Sequence, residues 1–210
     1  MRNAAFAAAA AALFSAAAHA QDKIPRASII GGETVDAGQD VFSSEIGWPS
    51  LSLGYTHGLT PYTDAGVRFD LLYSIEGTTQ DRFGLGLRVP LRAIAIRGSF
   101  ASLLVHFDPG VAVYPKTEAR WSALLPIGGA IGFQLADDFR MALGMDLPIS
   151  FVVTPSASFD IGTQFGVGFE YLADPHLLVG LNTRFGPLFS TSGSGSEFSF
   201  LTQLLLAYRM

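Results

Sequence analysis

His106 and Asp108 stand two residues apart, and Ser102 precedes the histidine by four. These are the residue types of a hydrolytic triad, in which an imidazole takes a serine proton while a carboxylate orients the ring. Leu103, Leu104, Val105 and Phe107 between them are apolar, so the stretch reads as a strand. All three side chains would then rise from one face of one strand, about 7 Å between neighbours two apart. Triads normally converge from separate elements. The expectation is therefore a histidine bonded to its neighbours, with hydrolysis of lipid or ester at a His106-centred site as the alternative. Four scattered histidines without a cysteine make a poor metal site. Gly84-x-Gly86 and Gly162-x-x-x-Gly166-x-Gly168 fall within strands rather than strand-to-helix turns, so they do not read as phosphate loops. No cofactor is expected.

Charge recurs at every second position elsewhere, which is a positional signal rather than a catalytic one. Arg68, Asp70, Arg88, Arg92, His106, Asp108, Arg120, Arg140, Asp146, Asp160, Gln164, Glu170, Arg184 and Arg209 all share the wet side of alternating segments. Opposite them lie Leu, Ile, Val, Phe and Tyr. The cleanest case is Phe159, Ile161, Phe165, Val167, Phe169 and Tyr171 against Asp160, Gly162, Gln164, Gly166, Gly168 and Glu170. A period of two with one oily and one wet face is a strand. Nine segments can be phased: 42–59, 64–74, 82–96, 100–114, 119–134, 139–153, 159–171, 176–189 and 198–210. In the last of these, Leu201 and Leu205 break the alternation by sitting on the wet side.

Turn chemistry at 58–61, 97–99, 136–138 and 173–175 is tight, whereas 75–81, 115–118, 154–157 and 191–197 are looser. A barrel that spans a lipid bilayer has short periplasmic turns and longer outer loops. The four tight turns then face the periplasm, and so does the C-terminus. Segment 42–59 would run downward, so an upward strand must precede it. Only 24–36, with Ile29, Ile30 and Val35, is left to supply one. Ten strands follow, with eight plus a loose N-terminal arm as the alternative. With directions imposed, Tyr55, Phe133, Phe139, Tyr171 and Tyr208 gather near the turns. Tyr73, Phe83, Trp121, Phe151, Phe159, Phe185 and Phe198 gather near the loops, giving an aromatic belt at each interface. An arginine facing hydrocarbon near the midplane would cost about 2–4 kcal/mol, so the charged face must line the interior. A soluble barrel with an oily cavity needs the opposite phase. So narrow an interior is filled by side chains, and charges of both signs there call for pairing.

Residues 1–20 carry Arg2, an apolar run and Ala18-His19-Ala20, the marks of a cleaved secretory signal. The mature chain would start at Gln21, with an N-terminal segment over 21–40 and the barrel over 41–210. It would hold 12 basic and 18 acidic residues, a net charge of −6, and no nucleic-acid footprint. The chain is 49 % apolar without any run of the roughly 18 apolar residues that a spanning helix requires.

These features resemble the small outer-membrane β-barrel proteins of Gram-negative bacteria. Ala18-His19-Ala20, the amphipathic strands, the Gly58-Leu59-Thr60 turn after Tyr55, and the ending Leu206-Ala207-Tyr208-Arg209-Met210 carry the resemblance. In that family the final residue is usually Phe or Trp, where Met210 stands here, while Tyr208 sits correctly two residues earlier. The resemblance implies an all-β, antiparallel up-and-down transmembrane barrel in the outer membrane. It also implies contact with outer-membrane lipids, and reading of the strand at 198–210 by the barrel assembly machinery. The function expected is non-catalytic and porin-like, either structural or a narrow solute channel. The hydrolase centred on His106 is the alternative.

Overall fold

The computed structural model describes residues 28–75, 78, 81–115, 119–191 and 196–210. The expected signal at 1–20 lies outside the described residues, as do residues 21–27. Among the described residues there is no helix, and fifteen strands follow one another. They are β1 (Asp40–Trp48), β2 (Ser50–Thr60), β3 (Thr63–Ser74), β4 (Asp81–Arg88), β5 (Leu91–Arg97), β6 (Ala101–Phe107), β7 (Gly110–Tyr114) and β8 (Arg120–Leu124). The rest are β9 (Ile127–Gln134), β10 (Phe139–Leu147), β11 (Ile149–Thr154), β12 (Ser158–Gly162), β13 (Gln164–Leu172), β14 (Leu177–Ser190) and β15 (Ser196–Arg209).

All pairings are antiparallel, and they return on themselves. One circuit runs β1–β2–β3–β4–β7–β8–β11–β12–β14–β15 and back to β1. Another leaves β3 through β5, β6, β9, β10 and β13 and rejoins at β14. The seam between the first and last strands is an ordinary ladder, with Phe42 opposite Tyr208 and Trp48 opposite Thr202. The sheet thus closes in a ring.

Several of the expected segments are split, and proline is usually the reason. Pro90, Pro109, Pro126 and Pro148 stand at the breaks between β4 and β5, β6 and β7, β8 and β9, and β10 and β11. Proline has no N–H to give the ladder, but its carbonyl still accepts. Val89 N–H bonds Pro109 O at 2.8 Å, Asp108 N–H bonds Pro126 O at 2.9 Å, and Gly162 N–H bonds Pro148 O at 3.0 Å. The side-chain phase survives each break, so Arg88 and Arg92 face the same way across Pro90.

The segment expected as one strand over 42–59 is instead the hairpin β1–β2. It folds back at Gly47-Trp48-Pro49, where the Trp48–Pro49 peptide is cis and Gly47 takes a φ of 157°. A side chain at Gly47 would run into the Thr202 carbonyl of β15, so only glycine lets the chain bend there against its neighbour. β1 therefore supplies the additional strand that was expected from 24–36. Residues 28–39 form no strand at all. Gly31 and Gly32 both take positive φ, 149° and 106°, and the edge of β15 is already occupied by β1. The first tight turn lies slightly later than expected, at Pro61-Tyr62.

The two faces differ sharply. Phe198 is 63 % exposed and Leu204 58 %, whereas Asp70 and Gln203 are each 1 % exposed. Two apolar clusters lie inside. One joins Val35, Val41, Leu178, Leu205 and Ala207, with Ile29 and Ile30 packed on it. The other, toward the looser loops, joins Leu72, Ile75, Ala112, Tyr114 and Leu124.

Candidate functional site

The enclosed face of the ring carries the ionic side chains, and alternation in the strands is what brings them there. Arg68, Asp70, Arg88, Arg92, His106, Asp108, Asp146, Gln164 and Arg184, nine of the fourteen expected interior residues, line one cavity of about 170 Å³. Toward the loops it is lined by Leu72, Leu124 and Leu188, each less than a tenth exposed. On the side of the tight turns its floor is Ile29, Ile30 and Gly31.

Charges in this chamber are cross-bonded between strands. Arg68 of β3 donates through Nε to Asp70 Oδ1 (2.7 Å), through Nη1 to Glu45 Oε1 (3.1 Å) and through Nη2 to Ser52 Oγ (2.8 Å). Arg88 Nε reaches Asp70 Oδ2 at 3.1 Å. Lower down, Arg92 grips Asp64 with both arms of its guanidinium, Nε to Oδ1 at 2.8 Å and Nη2 to Oδ2 at 2.6 Å. Fork-to-fork pairs of this kind are the geometrically specific form of the arginine–carboxylate bond. Arg184 pairs with Asp146. Away from the chamber, Arg120 bonds Asp160 at 2.7 Å toward the loops, and Arg140 bonds Gln134 at 2.7 Å near the turns. Arg209 is at the turn end, half-buried at the end of β15. Glu170 does not face the chamber but holds the segment beneath it.

His106 has both ring nitrogens engaged by carboxylates, Nδ1 with Asp108 Oδ2 at 3.0 Å and Nε2 with Asp146 Oδ1 at 2.7 Å. Ser102 points its hydroxyl at the carbonyl of Gly32 instead. A triad needs the imidazole between an acid and a nucleophile; here the ring lies between two acids.

Residues 28–36 run inside the ring below the chamber. Glu170 Oε1 accepts the N–H groups of Ile29 (2.8 Å) and Ile30 (2.9 Å). Arg92 Nη1 donates to the carbonyls of Ser28 (2.7 Å) and Ile29 (3.1 Å). Asp64 Oδ2 accepts Val35 N–H at 2.8 Å, and Glu33 pairs with Arg97 at 2.7 Å. The wall under this arm is short-chained: Ala130, Gly132, Ala142, Gly168 and Gly180 face it. A methyl group at Gly180 would come within 2.8 Å of Ile30 Cδ1, and one at Gly168 would overlap the same side chain.

The fourteen expected residues omit Glu45, Asp64, Gln203 and the arm itself. Two signals pointed to the arm. Leu201 and Leu205 stand on a wet face, and Leu205 packs against Val35. Glycine and alanine also crowd the inner positions of β9, β10, β13 and β14, leaving room that something must fill. Compared with known proteins, the chain matches no family model and no characterised protein in sequence.

Proposed function

We propose that this chain is an outer-membrane β-barrel of ten staves, non-catalytic and held closed inside by paired charges and by its own N-terminal arm. Counting each proline- or threonine-interrupted pair of strands as one stave gives ten, an even number as bacterial barrels have. The observation that carries the proposal is the sorting of the two faces around the whole ring. Large apolar side chains on every stave point outward, among them Phe42, Leu53, Phe69, Leu87, Val105, Ile131, Leu143, Phe165, Leu181 and Leu204. The paired arginines are enclosed. In water such a perimeter would be an association surface far beyond what soluble monomers expose; against acyl chains it is the expected coat. Aromatic pairs at the rims agree with this: Phe42–Tyr55 and Phe100–Phe133 near the turns, Phe151–Phe159 near the loops.

The chamber between the apolar residues at the loop end and the arm holds only about 170 Å³, which supports a side-chain-filled interior over an open pore. A structural, non-conducting barrel is the form that this geometry favours, and the bonding of His106 leaves a hydrolase without a nucleophile at that ring. The test is refolding of the mature chain from denaturant. Monomers should form only with detergent or vesicles, with the heat-dependent gel mobility of a closed barrel. A stable monomer in detergent-free buffer would overturn the proposal.

A further inference from the structure

The segment 28–36 lies inside the ring without joining its ladders, and the surrounding wall is fitted to its main chain. Glu170, Arg92, Asp64 and Ser102, from four different strands, each bond backbone N–H or C=O groups of the segment. Backbone groups are common to all peptides, so these contacts recognise main chain as such, here in a bend where Ser28 Oγ bonds both the carbonyl and the N–H of Gly31. Shape adds selectivity. Ile30 fills the notch left by Gly168 and Gly180, and Gly31 and Gly32 lie against Ala130 and Gly132.

Arg92 keeps both bonds to Asp64 if the arm leaves, while Arg97 at the turn end gives up its pair with Glu33. Water could then serve Glu170 and the free Nη1 donor of Arg92, whereas an apolar wall would be left bare. The arm is tethered through a turn at Ala37-Gly38, where Gly38 N–H bonds Gly58 O at 2.8 Å and Gly58 N–H bonds Gln39 O at 3.0 Å. Above it, Ile29, Ile30 and Gly31 floor the charged chamber.

We infer that the glycine-lined slot is a binding site for a bent, glycine-containing peptide, filled in cis by residues 28–36, which act as a removable plug. Withdrawal of the plug about the 37–39 tether opens the charged chamber to the turn end. The inference rests on the membrane-barrel proposal.

The chain has no cysteine, so one thiol placed in the chamber is a unique reporter. Ser43 lines the chamber, and Ser43→Cys is nearly isosteric. The full-length mature reporter chain is inserted in vesicles and treated with a trimethylammonium methanethiosulfonate, and the labelling rate follows the population of open molecules. Adding Gly168→Leu blocks the notch, and adding Gly32→Val spoils the arm while leaving the slot intact. Both should label at least about tenfold faster than the reporter alone, as an expelled plug requires. A synthetic peptide of residues 28–36, supplied in millimolar excess, should restore slow labelling to the Gly32→Val chain and leave the Gly168→Leu chain fast. If Gly168→Leu fails to insert, Gly32→Val and the peptide carry the test, since that change lies in no strand. Equal rates in inserted protein, or no protection by the peptide, would overturn the plug alone. A reporter chain that stays monomeric in buffer and ignores vesicles would overturn the barrel proposal and this inference with it.

Discussion

Asp70 accepts from Ser52 Oγ at 2.6 Å and from Arg68 Nε at 2.7 Å on one oxygen, and from Arg88 Nε at 3.1 Å on the other. A buried carboxylate shared by two guanidiniums is an organising point, because removing it leaves two enclosed cations short of a partner. Breaking such a group from one side costs about 3–5 kcal/mol. Asp70→Ala should therefore lower the unfolding free energy obtained from urea titration of the vesicle-inserted protein by that margin, and an unchanged value would show water already solvating the arginines. Adjacent residues of β15 make a sharper comparison. Leu205 is 2 % exposed and packs on Val35, while Leu204 is 58 % exposed on the outer face. Leu205→Ala should cost about 2–5 kcal/mol as an unfilled cavity. Leu204→Ala leaves no cavity, and its midpoint shift should be clearly the smaller of the two.

At the level of elements, the β1–β2 hairpin and the arm decide how the ring closes. Gly47 lies against the Thr202 carbonyl, so Gly47→Val should disturb the β1–β15 seam. The expected result is loss of the heat-resistant folded band on unheated gels; retention of that band would mean that the seam tolerates the bulk. This hairpin was partly legible beforehand. The outward residues shift from even positions, Phe42 and Ile46, to odd ones, Leu53 and Tyr55, and such a change of phase within one strand marks a break. Pro49 falls between them. Segments 82–96, 100–114, 119–134 and 139–153 keep their phase across a proline, which is why they read as single strands and were divided only by pairing.

For the molecule as a whole, the oily perimeter and the ionic interior are the two features on which the membrane-barrel proposal rests. The chamber has an apolar ceiling and a peptide floor. Protein reconstituted in planar bilayers should accordingly pass no steady current at modest voltage while the arm is seated. Regular ion-sized steps in the unaltered chain would show that the seal is incomplete. Ion pairing of most interior charges among the described residues also predicts that such a closed state persists across ordinary salt concentrations, since enclosed pairs are screened far less than exposed ones.

Alternation sorted most residues of each strand onto two faces, because a strand's side chains have a period of two wherever the strand lies; β1, read in one phase with β2, is the exception. The alternation placed Arg68, Asp70, Arg88, His106, Asp146 and Arg184 on one enclosed face without knowledge of any partner. Which acid meets which base, however, depends on the register between strands far apart in sequence, as with Asp146 and Arg184. The fate of residues 28–36 was likewise open. With two glycines at positive φ and no free strand edge, that segment had no local rule to follow. Only the closed ring, with small side chains on one inner wall and Glu170, Arg92 and Asp64 around them, gave it a place.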